Sequence, residues 1–242
     1  MNMSFYTAAV GAGEQQRRLN VQANNIANVN TYGFKAERPA FAALMYGSLG
    51  GIDGAALPRG SGARLASAAT DFGDGPLLDT GGSQDYAIMG DGFFALFEPS
   101  TGEVSYTRDG SFSLSQYQLP DAQGVPQPVF LLSDGQGRFV LNQSGSLIEV
   151  DDPEAEQPVG VFDFVNVDGM LHAGDNRFLP VEKNGQVRVG AGQVRRGALE
   201  ASNSDLATEL GKVIEAQRSF SYVLRMVQTS DEVETTVNGL RA

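Results

Sequence analysis

Seam positions at the two ends of the chain recur at alternating steps of four and three: Phe5, Ala9, Ala12, Gln16, Leu19, Ala23 and Ile26 near the start, and Leu206, Leu210, Val213, Gln217, Phe220, Leu224 and Val227 near the end. Each set predicts a helix with a seven-residue seam. A helix carrying one apolar stripe is marginal alone in water and needs a partner to bury it. The natural partner for one end is the other. Because the two helices leave a common central region in opposite chain directions, a pair within one molecule would run antiparallel. Gln16 and Gln217 put one polar group on each seam, which suits a register-fixing pair; the alternative is that the seams are core faces of unrelated helices.

The first helix is expected to fade after Ile26, where Asn24, Asn25, Asn28 and Asn30 accumulate and Gly33 offers a left-handed stop. The final helix is expected to open with a capping box from Ser202 and Asp205 and to run free of proline to Gly239, with Asp231 and Glu234 on seam positions at its end. Between the helices the patterning changes. Residues 47 to 84, including Gly47 to Gly51 and Pro58 to Gly62, are dense in Gly, Ser, Asp and Pro and read as a linker or extended arm. From Asp85 to Leu199 short apolar runs are separated by turn dipeptides, the signature of a β-domain. The candidate strands are Tyr86 to Met89, Phe93 to Phe97, Val104 to Thr107, Phe112 to Leu114, Val129 to Leu132, Phe139 to Leu141 and Val159 to Val165. Asn184-Gly185 predicts a two-residue hairpin, and Asp109-Gly110 and Asp168-Gly169 share its chemistry. Local returns favour antiparallel pairing. The expected fold is therefore α+β, with N- and C-terminal helices forming a coiled-coil-like domain and a central, mostly antiparallel β-domain. Its segments are 1–35 (helix and turn), 36–84 (arm), 85–199 (β-domain) and 200–242 (helix).

Composition narrows the function. Thirty glycines and ten prolines in 242 residues fit a turn-rich fold, and the net charge of −12 disfavours nucleic acid and anionic membrane surfaces. With no cysteine there is no thiolate nucleophile or zinc–cysteine site. The start of the chain lacks a basic region followed by an uninterrupted apolar stretch, and no apolar run is long enough to span a membrane; export without a cleaved leader and no membrane insertion are the expectations. His172, the single histidine, follows Asp168-Gly169 and reads as a solvated turn residue. Asp151, Asp152, Glu154 and Glu156 surround Pro153 in a charged loop, and Asp71, Asp74 and Asp79 lack the spacing of a calcium loop. No catalytic, cofactor or metal residue is expected.

The stretch from Ala23 through Asn24, Asn25, Ile26, Ala27, Asn28, Val29, Asn30, Thr31, Tyr32, Gly33 and Phe34 to Lys35 resembles the N-terminal signature of bacterial flagellar rod and hook proteins. Gly90 to Phe94 and Tyr106 to Phe112 resemble the central motifs of that family, and Gly197 to Asn203 with Gln217 to Phe220 resemble its C-terminal one. The order is right across the whole chain, and the single β-region resembles the proximal and distal rod components more than the larger hook protein. Gln116 to Pro128 departs as an insertion, and Gly82 to Asp85 replaces a more usual Asn-containing segment. The resemblance implies a subunit of the flagellar basal body in the cell envelope, exported through the flagellar type III apparatus. It further implies polymerisation into a helical tube beside other rod and hook proteins. The assembly positions would be Phe5, Ala12, Gln16, Leu19, Ile26, Gly33, Leu206, Leu210, Val213, Gln217, Phe220, Leu224 and Val227. A hook component, a rod-to-hook adapter or a secreted β-rich binding module with helical tails are the alternatives.

Overall fold

The computed structural model describes residues 3–45, 47–50, 56–120 and 126–240; Gly51 of the arm and residues 121–125 of the 116–128 insertion lie outside the described residues. The chain divides into two compact units. One comprises Met1–Ala27, Glu37–Asp71 and Asp205–Ala242, and the other Asn28–Ala36 and Phe72–Ser204. Terminal helices with central antiparallel sheets give the α+β class expected from the sequence.

In the helical unit, α1 (Met3–Ala27) and α2 (Leu206–Gly239) pack together, and two antiparallel ribbons join them. β1 (Glu37–Ala43) pairs with β4 (Ala63–Thr70) across a register shift at Ala40/Phe41, and β2 (Gly47–Gly50) pairs with β3 (Ala56–Arg59). The first ribbon is fastened to α1 by side chains that imitate a strand. Asn25 donates to the Glu37 carbonyl at 2.9 Å and accepts from the Glu37 amide at 2.9 Å, while Glu14 accepts from the Leu65 amide at 2.7 Å. Part of the segment expected to be an arm is thus ordered ribbon. The N-cap of α2 is Asp205, which accepts from the Thr208 amide at 2.8 Å and the Thr208 hydroxyl at 2.6 Å. The expected cap at Ser202 is corrected by one turn: Ser202 instead accepts from the Ser204 amide at 3.1 Å, and Asp205 is itself a strong cap residue.

The β-unit holds β5 (Leu77–Asp79), β6 (Tyr86–Met89), β7 (Phe94–Glu98), β8 (Glu103–Thr107), β9 (Ser113–Pro120), β10 (Pro126–Ser133), β11 (Phe139–Val140), β12 (Phe162–Asp163), β13 (Leu171–Gly174), β14 (Arg177–Leu179), β15 (Arg188–Val189), β16 (Gln193–Arg196) and β17 (Ala198–Glu200). Seven of these form one sheet in the order β13-β14-β8-β7-β11-β10-β9, and every pairing is antiparallel. β6 pairs with β16, β5 with β17, and β12 with β15. The run Phe93–Leu96 is buried at every position because the sheet is covered on both faces. Phe94 and Leu96 enter a cluster with Tyr86, Phe112, Leu132 and Val140, whereas Phe93 and Ala95 enter a second with Tyr106, Phe164 and Phe178.

Turn chemistry differs from the sequence expectation at three points. Asn184-Gly185 is not a two-residue hairpin: Glu182–Asn184 form a 3-10 turn, and the buried Asn184 side chain accepts from the Val181 amide at 2.6 Å and donates to the Asn166 carbonyl at 2.8 Å. The strands on either side join different partners, β14 with β13 and β8, and β15 with β12. The two-residue hairpin lies at Asp175-Asn176, between β13 and β14, where both residues have positive φ (48° and 59°), as the tight primed turn requires. Asp109-Gly110 is likewise no hairpin, since β8 and β9 are not neighbours in the sheet. His172 stands in β13, with its ring edge-on to Phe178 at 5.0 Å, and not in a turn. Residues 116–120 and 126–128 of the insertion belong to the paired strands β9 and β10 at one edge of the sheet.

The Thr208 hydroxyl and then the Thr208 amide hold the Asp205 carboxyl below its usual value of 3.8. A depressed folded-state pKa contributes stability above the unfolded value that is lost as the pH falls through the folded one. The Thr208 amide resonance is therefore expected to shift with helix fraying below pH 3.8, and Asp205→Asn, which caps without titrating, is expected to remove that dependence in an NMR titration.

Candidate functional site

Two features of the structure answer to the motifs, one in each unit. In the helical unit the pair is antiparallel: Asn25 donates to Glu209 at 3.3 Å, Arg18 pairs with Glu215 at 3.2 Å, and a Cβ on Gly11 would meet Val223 at 3.7 Å. Successive heptads of α1 thus meet successive pairs of turns of α2 in reverse order. Along α2 the better-covered residues include Glu209, Val213, Ala216, Phe220, Val223, Val227 and Ser230; along α1 they include Gly11, Gln15, Arg18, Gln22 and Asn25. Of the sequence-derived positions, Ala12, Leu19, Ile26, Val213, Phe220 and Val227 are half-buried, whereas Phe5, Gln16, Leu206, Leu210, Gln217 and Leu224 are exposed. Gln16 donates to Asn20 of its own helix at 3.3 Å. The pair therefore buries a stripe rich in polar groups and leaves large apolar side chains outside, Leu210, Ile214, Leu224 and Met226 among them.

In the β-unit the three motifs converge on one buried carboxylate. Glu200 is 1% exposed; its Oε1 accepts from Lys35 Nζ at 2.6 Å and from the Gly75 amide at 2.8 Å, and its Oε2 accepts from Arg108 Nη1 at 3.1 Å. Lys35 also donates to the Gly73 carbonyl at 2.9 Å. Arg108 donates to the Gly90 carbonyl at 2.8 Å and lies over the Phe93 ring at 5.6 Å, a cation–π contact. Burial pulls the Lys35 ammonium below its ordinary pKa, and Glu200 acts against that shift.

Backbone contacts bring the same segments together. The Gly33 amide donates to the Glu200 carbonyl at 2.7 Å, and Asn203 accepts from the Ala36 amide at 2.7 Å and donates to the Gly73 carbonyl at 3.1 Å. Gly33 has φ of 63°, as the sequence led us to expect, and there is a second constraint: a Cβ there would lie 2.3 Å from the Asp109 amide nitrogen. Sequence inspection singled out Gly33 but missed Lys35, Arg108 and Glu200. The available signal was the single basic residue of the N-terminal and Tyr106–Phe112 motifs and the single acid of Gly197–Asn203, flanked by residues suited to burial: Phe34 and Ala36, Thr107, and Leu199 with Ala201. This arrangement clamps chain segments, with the Lys35, Arg108 and Glu200 side chains all buried. Among the described residues no group of three or more His, Asp or Glu side chains could hold a metal ion.

Comparison with known proteins follows the same segments. Residues 5–35 match the family model "Flagella basal body rod protein", residues 87–128 match "Flagellar hook protein FlgE/F/G D1 domain", and residues 195–240 match "Flagellar basal body rod FlgEFG protein C-terminal". The chain is 32% identical over 252 residues to the flagellar basal-body rod protein FlgG of Buchnera aphidicola subsp. Baizongia pistaciae, covering 95% of this chain and 96% of the relative. It is 31% identical over 264 residues to FlgG of Borreliella burgdorferi, covering 100% and 99%. To FlgF of Caulobacter vibrioides it is 31% identical over 241 residues, covering 96% and 95%.

Glu200→Ala removes the buried counter-ion of Lys35, leaves Arg108 only the exposed Asp74 carboxylate at 3.6 Å, and is expected to cost about 3–5 kcal/mol in chemical denaturation of the purified chain. Gly33→Val adds both a strained φ and a backbone clash. It is expected to prevent the β-unit from closing, read as loss of dispersed amide resonances.

Proposed function

The chain belongs to the FlgG/FlgF family of flagellar basal-body rod proteins and is a structural subunit, and from that premise we propose that its copies polymerise into a helical tube that transmits torque and is needed for motility. In this proposal the two ends, 1–35 and 200–242, are the assembly segments; 36–84, ordered in part as the β1–β4 and β2–β3 ribbons, is the connecting arm, and 85–199 is the β-domain. The polymer lies in the cell envelope, joins other rod and hook proteins, and is built from chains delivered by the flagellar type III apparatus.

The observation that carries the proposal is the outward-facing apolar side of the helix pair. Phe5, Leu206, Leu210 and Leu224 are exposed, and so are Ile214 and Met226 beside them. Full burial of a leucine-sized side chain contributes about 1.5–3 kcal/mol and these are already about half covered, so neighbouring copies that close over them add roughly half of that for each, coupling the ordering of the helices to polymer growth. The inner stripe supports this view. Gln22 is 1% exposed and neither polar atom of its amide has a hydrogen-bond partner, so the pairing within one chain leaves that group unsatisfied. No helix among the described residues is long and apolar enough to cross a membrane.

Electron microscopy of basal bodies from a strain lacking this chain, beside one carrying Phe220→Asp, tests the proposal. Rods absent or cut short are expected in both; complete rods and hooks in both would overturn it.

A further inference from the structure

On the outward side of α2, Arg218, Tyr222 and Arg225 recur at steps of four and three and, with Gln217 and Ser221, line a shallow groove; all five are exposed. The acid nearest to Arg218 along the helix, Glu215, is already paired with Arg18. Arg225 has no acid three or four residues away in either direction. Farther along the helix the charge reverses. Asp231, Glu232 and Glu234 are exposed, have no basic residue three or four positions away, and approach a helix end whose last turn contains no base. Acids there face the negative end of the helix dipole and gain from an external cation.

At 3.6 residues per turn, Arg218, Tyr222 and Arg225 share an arc of about 60°, and Asp231 and Glu234 lie about 140–160° around from it. The two patches are also displaced by about 16 Å along the axis. One helix thus carries a cationic patch and an acidic patch on different faces at different heights. Such surfaces cannot satisfy each other within one helix or close a symmetric dimer; they fit head to tail, which extends without closing. The charge balance also points to a second copy as the occupant. With 29 acidic against 17 basic side chains, copies repel over most of their surface, and an unpaired arginine face is where another copy can approach.

We propose that the Arg218–Tyr222–Arg225 face of α2 receives the acidic Asp231–Glu234 end of α2 from a neighbouring copy, with Tyr222 packing between the two arginines. This contact rests on the proposal that the chain is a polymerising rod subunit, and it adds the direction and stagger of the assembly.

Because the chain has no cysteine, introduced thiols report on this contact alone. Basal bodies carrying Ser221→Cys with Glu234→Cys, oxidised after isolation, should yield a ladder of cross-linked chains, and Ser221→Cys alone should yield none. Arg218→Glu with Arg225→Glu should lower incorporation by at least about tenfold through like-charge contact, and adding Asp231→Lys with Glu234→Lys should restore it. The rescue separates a lost contact from a misfolded chain. Normal incorporation of the arginine-reversed chain, failure of the fourfold exchange to restore it, or incorporated double-cysteine chains that form no ladder would each overturn the contact while leaving the rod role standing. Absence of the unaltered chain from basal bodies would remove both.

Discussion

Everything in the β-unit closes around the carboxylate of Glu200. Taking an ion of that size out of water costs several kcal/mol, and the cost is met only when its donors are all in place with good geometry. Lys35, Arg108 and the Gly75 amide supply them from three separate stretches of chain. Each donor then fixes something further. Lys35 draws in the strap of residues 33–36, Arg108 spans from the Gly90 turn to the Phe93 ring, and Gly75 brings the entry to β5 alongside β17. The two apolar clusters give the unit most of its stability, as burial does in any domain. They do not by themselves specify which segments lie beside the closing strand. The polar knot adds that specification, and it explains why glycine is required at position 33, where the backbone of Arg108 and Asp109 occupies the space of a side chain.

The helical unit follows a different logic. Its inner stripe carries Glu209, Asn25, Arg18 and Gln22, while much of its aliphatic surface faces outward. In an ordinary two-helix core the distribution would be reversed. The polar inner groups still do useful work: Asn25 binds the backbone of Glu37 on one side and Glu209 on the other, so a single amide joins both helices and the first ribbon. Such a pair is held in register by directional bonds, and its apolar side remains available to other chains.

What could be read from the sequence depended on how far apart the interacting residues lie. The terminal helices were legible because a seven-residue period is a local signal, and their ends came out close to Ala27 and Gly239. The central strands were legible where large apolar residues meet turn dipeptides, as at Tyr86–Met89 and Phe94–Glu98. The β1–β4 ribbon was not, because its strands are rich in alanine and serine and show little hydrophobic alternation. Asn184-Gly185 looked like a hairpin because local chemistry cannot reveal that the Asn184 side chain is consumed in bridging a second loop. Lys35 and Glu200 are separated by 165 positions, and no periodicity relates them. The family resemblance marked the stretches that contain them without supplying the reason these charges are there.

That separation has a consequence in time. A chain made from its N-terminus has Lys35 long before Glu200 exists, and Asn25 waits longer still, since Glu209 lies 184 positions away. Neither unit is continuous in sequence, and each needs late residues to finish early ones. Contacts of such long range are slow to form, because the loops between them must first be closed. Throughout most of its synthesis the polypeptide therefore lacks the partners that would lock it, and it stays pliable until nearly its last helix has been made.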